Sequence, residues 1–227
     1  DSNTWWNESL QKNEAWINKD VEIAGNIANE IYELYKEKYP DAFHGWYFVH
    51  EMYTQRRGLE DFWAKILNKT LEKLTEIDKA HPENEPLPIL FSPFFSSGSN
   101  STPIQNGEMW DKIISQVNFR KGDIFCPQDS YGASGYSLNY IDNSLKYLKK
   151  AADKNENLVF WVNCESFYKS YPAPISRFES QLRTASKYAE NIITFSYTHN
   201  YGKDENYEYD EEYRAYRDRI LKSNELS

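Results

Sequence analysis

Cysteine and histidine are scarce in this sequence, which has 2 cysteines and 4 histidines among 227 residues. The two cysteines, Cys126 and Cys164, form no C-x-x-C pair, so the chain lacks the ligand spacing of a structural zinc site. We therefore expect no metal site and no bound cofactor. Two buried free thiols are the favoured interpretation of the cysteines, and a disulfide between them is the alternative.

Positive charge is also in short supply, because 26 lysines and arginines face 35 aspartates and glutamates, for a net charge of −9. Nucleic-acid binding depends on basic clusters that neutralise phosphates, so we expect no nucleic-acid partner. No apolar run approaches the roughly 20 residues that span a bilayer, so we expect no membrane span. The first residues, DSNTWWNES, do not resemble a signal peptide, and the compartment cannot be read from them.

Aromatic residues are abundant at 16%, with 7 Trp, 18 Tyr and 12 Phe. Such rings pack on the C–H faces of sugars, although filling a large core is the alternative use. The 40% of hydrophobic residues is enough to bury a core. The length suits one domain over residues 1–227.

Helical and strand-like segments alternate along the chain. Apolar spacing predicts helices over residues 8–38, 58–80, 107–119, 138–152, 176–189 and 204–222. Short aromatic and β-branched runs predict strands over residues 43–51, 88–95, 123–127, 158–164 and 191–197. This alternation indicates a parallel sheet with helices outside it, either an open doubly wound sheet or a (β/α)8 barrel. No nucleotide-binding glycine motif follows any strand, which favours the barrel. Five strands are too few to close one, so either three strands are absent or the sheet is open.

Two glutamates close strand-like runs: Glu51 ends FHGWYFVHE and Glu165 ends NLVFWVNCE. Residues at the C-terminal ends of barrel strands build the active site. A pair of carboxylates in that place is the equipment for cleaving a glycosidic bond. The alternative is that one of them forms a salt bridge with Arg56, Arg57 or Arg177.

Polar residues near these glutamates are further candidates. Gln128 and Asp129 follow the run DIFCP and could bind sugar hydroxyls, or Asp129 could cap its loop. Asn163 lies two residues before Glu165, so both side chains face the same way and Asn163 could orient the carboxylate. His50 alternates with Glu51, and we expect it to point toward the helices.

Four residues in or near the loops on the same rim are candidate sugar contacts: Tyr131, Phe167, Tyr197 and His199. The aromatic ones would serve as platforms for sugar rings, and ordinary loop packing is the alternative for each of them.

Five segments, in this order along the chain, resemble a bacterial glycoside-hydrolase-like family, DUF4434. They are GWYFVHE (45–51), ILFSPFF (89–95), DIFCPQDSYG (123–132), WVNCESF (161–167) and ITFSY (193–197). The opening Trp5-Trp6 also resembles the segment that follows the third barrel strand in that family. The resemblance extends from about Trp5 to Tyr197.

The resemblance implies a TIM-type (β/α)8 barrel related to retaining glycosidases, with this chain supplying strands four to eight and strands one to three outside the sequence. It implies an acid/base carboxylate on strand four and a nucleophile on strand seven, positions that Glu51 and Glu165 match. His50 departs from the asparagine that such enzymes carry before the strand-four glutamate. A secreted or cell-envelope location is expected from the same resemblance.

The expected function is therefore a retaining glycoside hydrolase that acts on an oligo- or polysaccharide. A preceding segment of the same protein is the expected partner in the fold. The alternative is a catalytically silent carbohydrate-binding barrel within a larger protein. An open-sheet esterase is disfavoured, because no G-x-S-x-G nucleophile elbow is present.

Overall fold

The computed structural model describes residues 13–53, 58–95, 102–202 and 207–223, so Trp5, Trp6, Arg56 and Arg57 lie outside the described ranges. The helices are α1 (Glu14–Tyr35), α2 (Glu60–Ala80), α3 (Pro103–Ile114), α4 (Tyr131–Ser134), α5 (Leu138–Ala152), α6 (Ile175–Ala185), α7 (Tyr197–Asn200) and α8 (Tyr207–Ser223). The strands are β1 (Trp46–Phe48), β2 (Ile89–Phe91), β3 (Asp123–Phe125), β4 (Leu158–Glu165), β5 (Phe167–Tyr168), β6 (Tyr171–Pro172) and β7 (Asn191–Phe195).

The main sheet is a curled parallel half-barrel of five strands in the order β1-β2-β3-β4-β7. Spatial neighbours are also successive main-sheet strands in the chain. Each crossover contains a helix, as is usual between parallel strands. The prediction of a parallel α/β sheet is therefore confirmed. All five predicted strands exist, but β1, β2 and β3 are only three residues long each.

The outer face of the half-barrel is buried beneath the helices. Phe91 stacks on Phe125 with ring centroids 5.1 Å apart, and Phe125 meets Phe160 edge-on at 5.7 Å. Trp110 of α3 lies 4.8 Å from Phe125 and closes this layer from outside. These rings supply much of the apolar burial that holds helices and sheet together.

Among the described residues, the inner face is open to solvent at the two outer strands of the sheet. Tyr47 and Val49 alternate with the buried Phe48 and are 56% and 76% exposed. At the other end of the sheet Phe195 is 58% exposed. A closed barrel fills its interior with side chains, so this half-barrel leaves the equivalent surface uncovered.

The structure decides three smaller expectations. Cys126 and Cys164 are both buried and free, so the alternative of a disulfide between them is wrong. His50 points toward the helices as expected, because its Nε2 lies 2.8 Å from Asp20 Oδ2 on α1 and its ring packs on Phe48. The segment after Glu165, expected to be a loop, contains the two-residue strands β5 and β6 as an antiparallel pair.

Candidate functional site

A row of polar side chains crosses the C-terminal edge of the main sheet. Gln128 Nε2 donates to Glu51 Oε1 at 3.3 Å and to the Ser92 carbonyl oxygen at 3.0 Å. Asn163, two residues before Glu165, donates from its Nδ2 to Ser92 Oγ at 3.3 Å. The structure thus brings the predicted residues Glu51, Gln128, Asn163 and Glu165 to one edge, with Ser92 as a link that the sequence reasoning missed.

Glu165 is buried at the end of β4, with only 3% of its surface exposed. Its Oε2 accepts hydrogen bonds from the backbone N–H groups of Gly132 at 2.5 Å and Ala133 at 3.1 Å. A Cβ at position 132 would lie 2.4 Å from the Phe167 ring, so the α4 backbone approaches the carboxylate this closely only because residue 132 is glycine.

Asp129 lies beside Glu165 and is completely buried. Its Oδ1 accepts from the backbone N–H groups of Tyr131 at 3.1 Å and Glu165 at 3.2 Å. Its Oδ2 accepts from Gln181 Nε2 at 2.5 Å. Of its two predicted roles, these contacts support loop capping, because both oxygens are bound by the protein and neither is exposed to a ligand.

Burial raises the pKa of Glu165 from its ordinary value of 4.5 to about 7. The neighbouring Asp129 raises it further, the Ala133 and Gly132 N–H groups oppose the rise, and Glu51 adds a smaller increase. Burial also raises the pKa of Asp129, to about 6, against the hydrogen bond from Gln181 and the backbone N–H groups, which lower it. The site therefore holds two adjacent carboxyl groups that titrate close to neutral pH, where acid–base catalysts operate.

Glu51 is exposed at the opposite side of the row. Its influence on the pKa of Glu165 connects the two glutamates electrostatically across the polar row. Arg177, the alternative salt-bridge partner that the structure describes, is engaged elsewhere. Its guanidinium lies 4.0 Å from the Tyr131 ring centroid and donates to the Tyr136 carbonyl oxygen at 2.8 Å.

The predicted aromatic contacts divide into two groups. Tyr197 faces α8, because its hydroxyl donates to Asp210 at 2.7 Å and its ring packs on Tyr213 at 5.0 Å. Tyr131 packs on Tyr168 with centroids 5.4 Å apart, in addition to its contact with Arg177. Both contact sets fit the alternative of loop packing.

Phe167 and His199 instead group around Phe195, a residue that sequence reasoning overlooked. The Phe195 ring lies 6.5 Å from Phe167 and 6.2 Å from His199, whose Nδ1 is 2.6 Å from Ser196 Oγ. Phe195 is paired in register with Glu165 and is largely exposed. Its place in the strand, two residues after Ile193, was the available signal, since alternate residues share a face.

Neither a metal site nor a membrane-spanning helix emerges from the described part of the chain. Within it, no group of three or more His, Cys, Asp or Glu side chains could hold a metal ion. None of the helices described there is both long and apolar enough to cross a membrane.

Comparison with known proteins gives one match. The family described as "Domain of unknown function (DUF4434)" matches residues 1–207, and the chain therefore belongs to this family. No curated protein and no solved structure matches the chain.

Proposed function

We propose that this DUF4434 protein is a glycoside hydrolase that cleaves an oligo- or polysaccharide with Glu165 and Glu51. The observation that carries the proposal is the burial and raised pKa of Glu165. It is a buried carboxyl group at a strand end, with a pKa of about 7. Glycosidases use one carboxyl group as a proton donor and a second as base or nucleophile. Glu51, across the polar row, is the second group.

The electrostatics favour Glu165 as the proton donor. A general acid works best when its pKa lies near the working pH, and burial next to a second carboxylate is the usual way to achieve this. This reverses the order implied by the resemblance, in which the strand-seven glutamate is the nucleophile. The exposed Glu51 then attacks the anomeric carbon in a retaining mechanism.

Turnover of chromogenic aryl glycosides by the purified protein tests the proposal. Glu165→Gln and Glu51→Gln should each lower kcat/KM by at least about 100-fold, because each removes one of the two required carboxyl groups. Glu156→Gln is the matched control. Glu156 is an exposed residue just before the N-terminal end of β4, at the end of the strand opposite Glu165, so its replacement should leave turnover unchanged. Unchanged turnover in Glu165→Gln would exclude this residue as a catalyst.

The pH dependence of kcat/KM separates the two role assignments. If Glu165 donates the proton, activity is lost as pH rises through about 7, the pKa of that group. If Glu165 is the nucleophile, activity is instead lost as pH falls through the same value. The anomeric form of the first product, followed by NMR, tests whether configuration is retained.

We also propose that the five strands of the main sheet are strands four to eight of a (β/α)8 barrel. Support comes from the edges, because no described strand pairs with the outer edge of β1 or of β7. It also comes from the inner face, where Val49 and Phe195 are exposed. Three further strands from another segment would pair with both edges and cover that face.

A carbohydrate-binding barrel without catalytic activity is the second candidate. It is favoured by the two backbone hydrogen bonds to Glu165 Oε2, which would equally anchor α4 in a purely structural role. Such a protein would bind oligosaccharides in calorimetry without turning any of them over. Glu165→Gln would then leave its affinity nearly unchanged.

A further inference from the structure

Gln181 joins the two buried carboxyl residues of the site. It lies on α6, is fully buried, and was not singled out from the sequence. Its Nε2 donates to Asp129 Oδ2 at 2.5 Å and to the Glu165 carbonyl oxygen at 3.1 Å. One amide nitrogen therefore contacts Asp129, four residues beyond the end of β3, and Glu165, the last residue of β4.

The orientation of the Gln181 amide is fixed by the Glu165 carbonyl. A backbone carbonyl only accepts hydrogen bonds, so the nitrogen must face it, and the same nitrogen then faces Asp129. The remaining oxygen, Gln181 Oε1, is buried and has no hydrogen-bond partner within the described part of the molecule. Leu or Met would fill this space without an unpaired oxygen, so the contacts made by the nitrogen account for a polar residue here.

The two carboxyl groups receive unequal numbers of donors. Asp129 accepts three N–H groups, from Tyr131, Glu165 and Gln181, and all of them favour its ionised form. The Arg177 charge favours the same form. Glu165 accepts two N–H groups on Oε2 and faces the negative charge of Asp129.

Two other titratable groups approach this pair. The Cys164 thiol on β4 contacts Asp129, and burial raises the pKa of that thiol well above its ordinary value, so it stays neutral and adds no charge. Glu51, beyond β1, adds a smaller negative influence on Glu165. The strongest charge acting on Glu165 is therefore that of Asp129, whose Oδ2 accepts the hydrogen bond from Gln181.

We propose that Gln181 is a positioning residue that keeps Asp129 ionised and thereby keeps the proton of the pair on Glu165. The proposal rests on the proposed function only for the use of that proton. The placement of the proton itself follows from the contacts. Without the Gln181 nitrogen, Asp129 would lose one of its three N–H donors, take up the proton more readily, and stop opposing ionisation of Glu165.

Carbon-13 NMR titration of labelled Asp and Glu side-chain carboxyl groups tests this in the whole chain without any substrate. The Glu165 resonance is assigned by its loss in Glu165→Gln, and that of Asp129 by its loss in Asp129→Asn. In Gln181→Met the titration midpoint of Glu165 should fall by about one pH unit, a tenfold change in proton affinity, while that of Asp129 rises. The matched control is Gln116→Met, on an exposed residue just after α3, which should move neither midpoint.

Asp129→Asn provides an independent test of the proposal if Gln181→Met does not fold. Removing the Asp129 charge should lower the Glu165 midpoint in the same direction, and adding Gln181→Met to that variant should then change nothing further. An unchanged Glu165 midpoint in a folded Gln181→Met or Asp129→Asn protein would overturn the proposal. Because the readout needs no turnover, a failure to find glycosidase activity leaves this result intact.

Discussion

At the scale of single residues, Gly132 shows how tightly the site is packed. The Gly132 N–H reaches Glu165 only because no side chain separates α4 from the Phe167 ring. We expect Gly132→Ala to displace either the Phe167 ring or the α4 backbone. The substitution should cost about 1–3 kcal/mol of unfolding free energy, as overpacking of an interior usually does. Urea denaturation measures the loss.

The matched control for that substitution is Gly25→Ala in the middle of α1. The three atoms nearest to a Cβ there all belong to the Lys73 side chain, at 3.2 Å, and alanine favours the helix. We expect this control to be neutral or stabilising by up to about 1 kcal/mol. If Gly132→Ala proved equally harmless, the close approach of α4 to Glu165 would not be required for the fold.

The raised pKa of Glu165 also predicts how stability depends on pH. Its folded value of about 7 exceeds the ordinary 4.5, so the folded protein binds this proton more tightly than the unfolded chain does. Unfolding free energy should therefore fall as pH rises from about 4.5 to about 7 and stay low above that. Asp129, raised from 3.8 to about 6, acts in the same direction.

Glu165→Gln isolates this effect because it keeps the shape and removes the ionisation. We expect the variant to be more stable than the parent at pH 8, by on the order of 1–3 kcal/mol, with the difference shrinking toward pH 4. Denaturant unfolding at both pH values measures it. A variant that is less stable at pH 8 would mean that the backbone donors of α4 stabilise the carboxylate more than burial destabilises it.

The site was predictable from the sequence only where strand alternation governs it. Glu51, Asn163 and Glu165 share the inner face because alternate strand residues do. Gln181 could not have been predicted, because it reaches Asp129 from a helix 52 residues further along the chain. The choice between the two roles of Asp129 likewise depended on burial, which its sequence position does not reveal.

At the scale of elements, the accuracy of the predicted ends differs from one helix to the next. Helix α5 begins and ends where its apolar spacing predicts, with Ser137 accepting from the Tyr140 N–H at its N-cap. Helix α3 instead begins at Pro103, four residues before the predicted start. Thr102 and Gln105 form a capping box there that the prediction overlooked. The first strands are shorter than predicted because pairing, not apolar content, determines strand length.

The α3 capping box is open to direct test. Thr102 Oγ1 accepts from the Gln105 N–H at 3.2 Å, and Gln105 Oε1 accepts from the Thr102 N–H at 2.9 Å. Thr102→Ala should cost about 1 kcal/mol of unfolding free energy. Ser115→Ala at the other end of α3 is the control, and we expect a smaller loss since Ser115 Oγ is exposed. Equal losses would mean that the box adds nothing beyond an ordinary surface hydroxyl.

At the scale of the whole molecule, exposed apolar side chains cluster beside β1, at one outer edge of the main sheet. Helix α1 buries one stripe against α2 and exposes a second that includes Ile23, Ile27 and Leu34, which are 49%, 52% and 55% exposed. A groove of about 270 Å³ separates α1 from β1 and is lined by Ile27 and Val49. An exposed strand edge beside such a groove favours pairing with another strand.

Residues 1–227 alone should therefore self-associate if the five strands are part of a larger barrel. We expect light scattering to show a mass that rises with concentration, and Val49→Lys with Ile27→Lys to suppress the rise. Glu108→Lys is a control that adds the same positive charge at an exposed position of α3, which does not line the groove, and should not suppress it. A parent chain that remains monomeric and melts cooperatively would be a stable half-barrel by itself. Its open inner face would then be a finished surface, and the placement of these strands as four to eight of a closed barrel would be wrong.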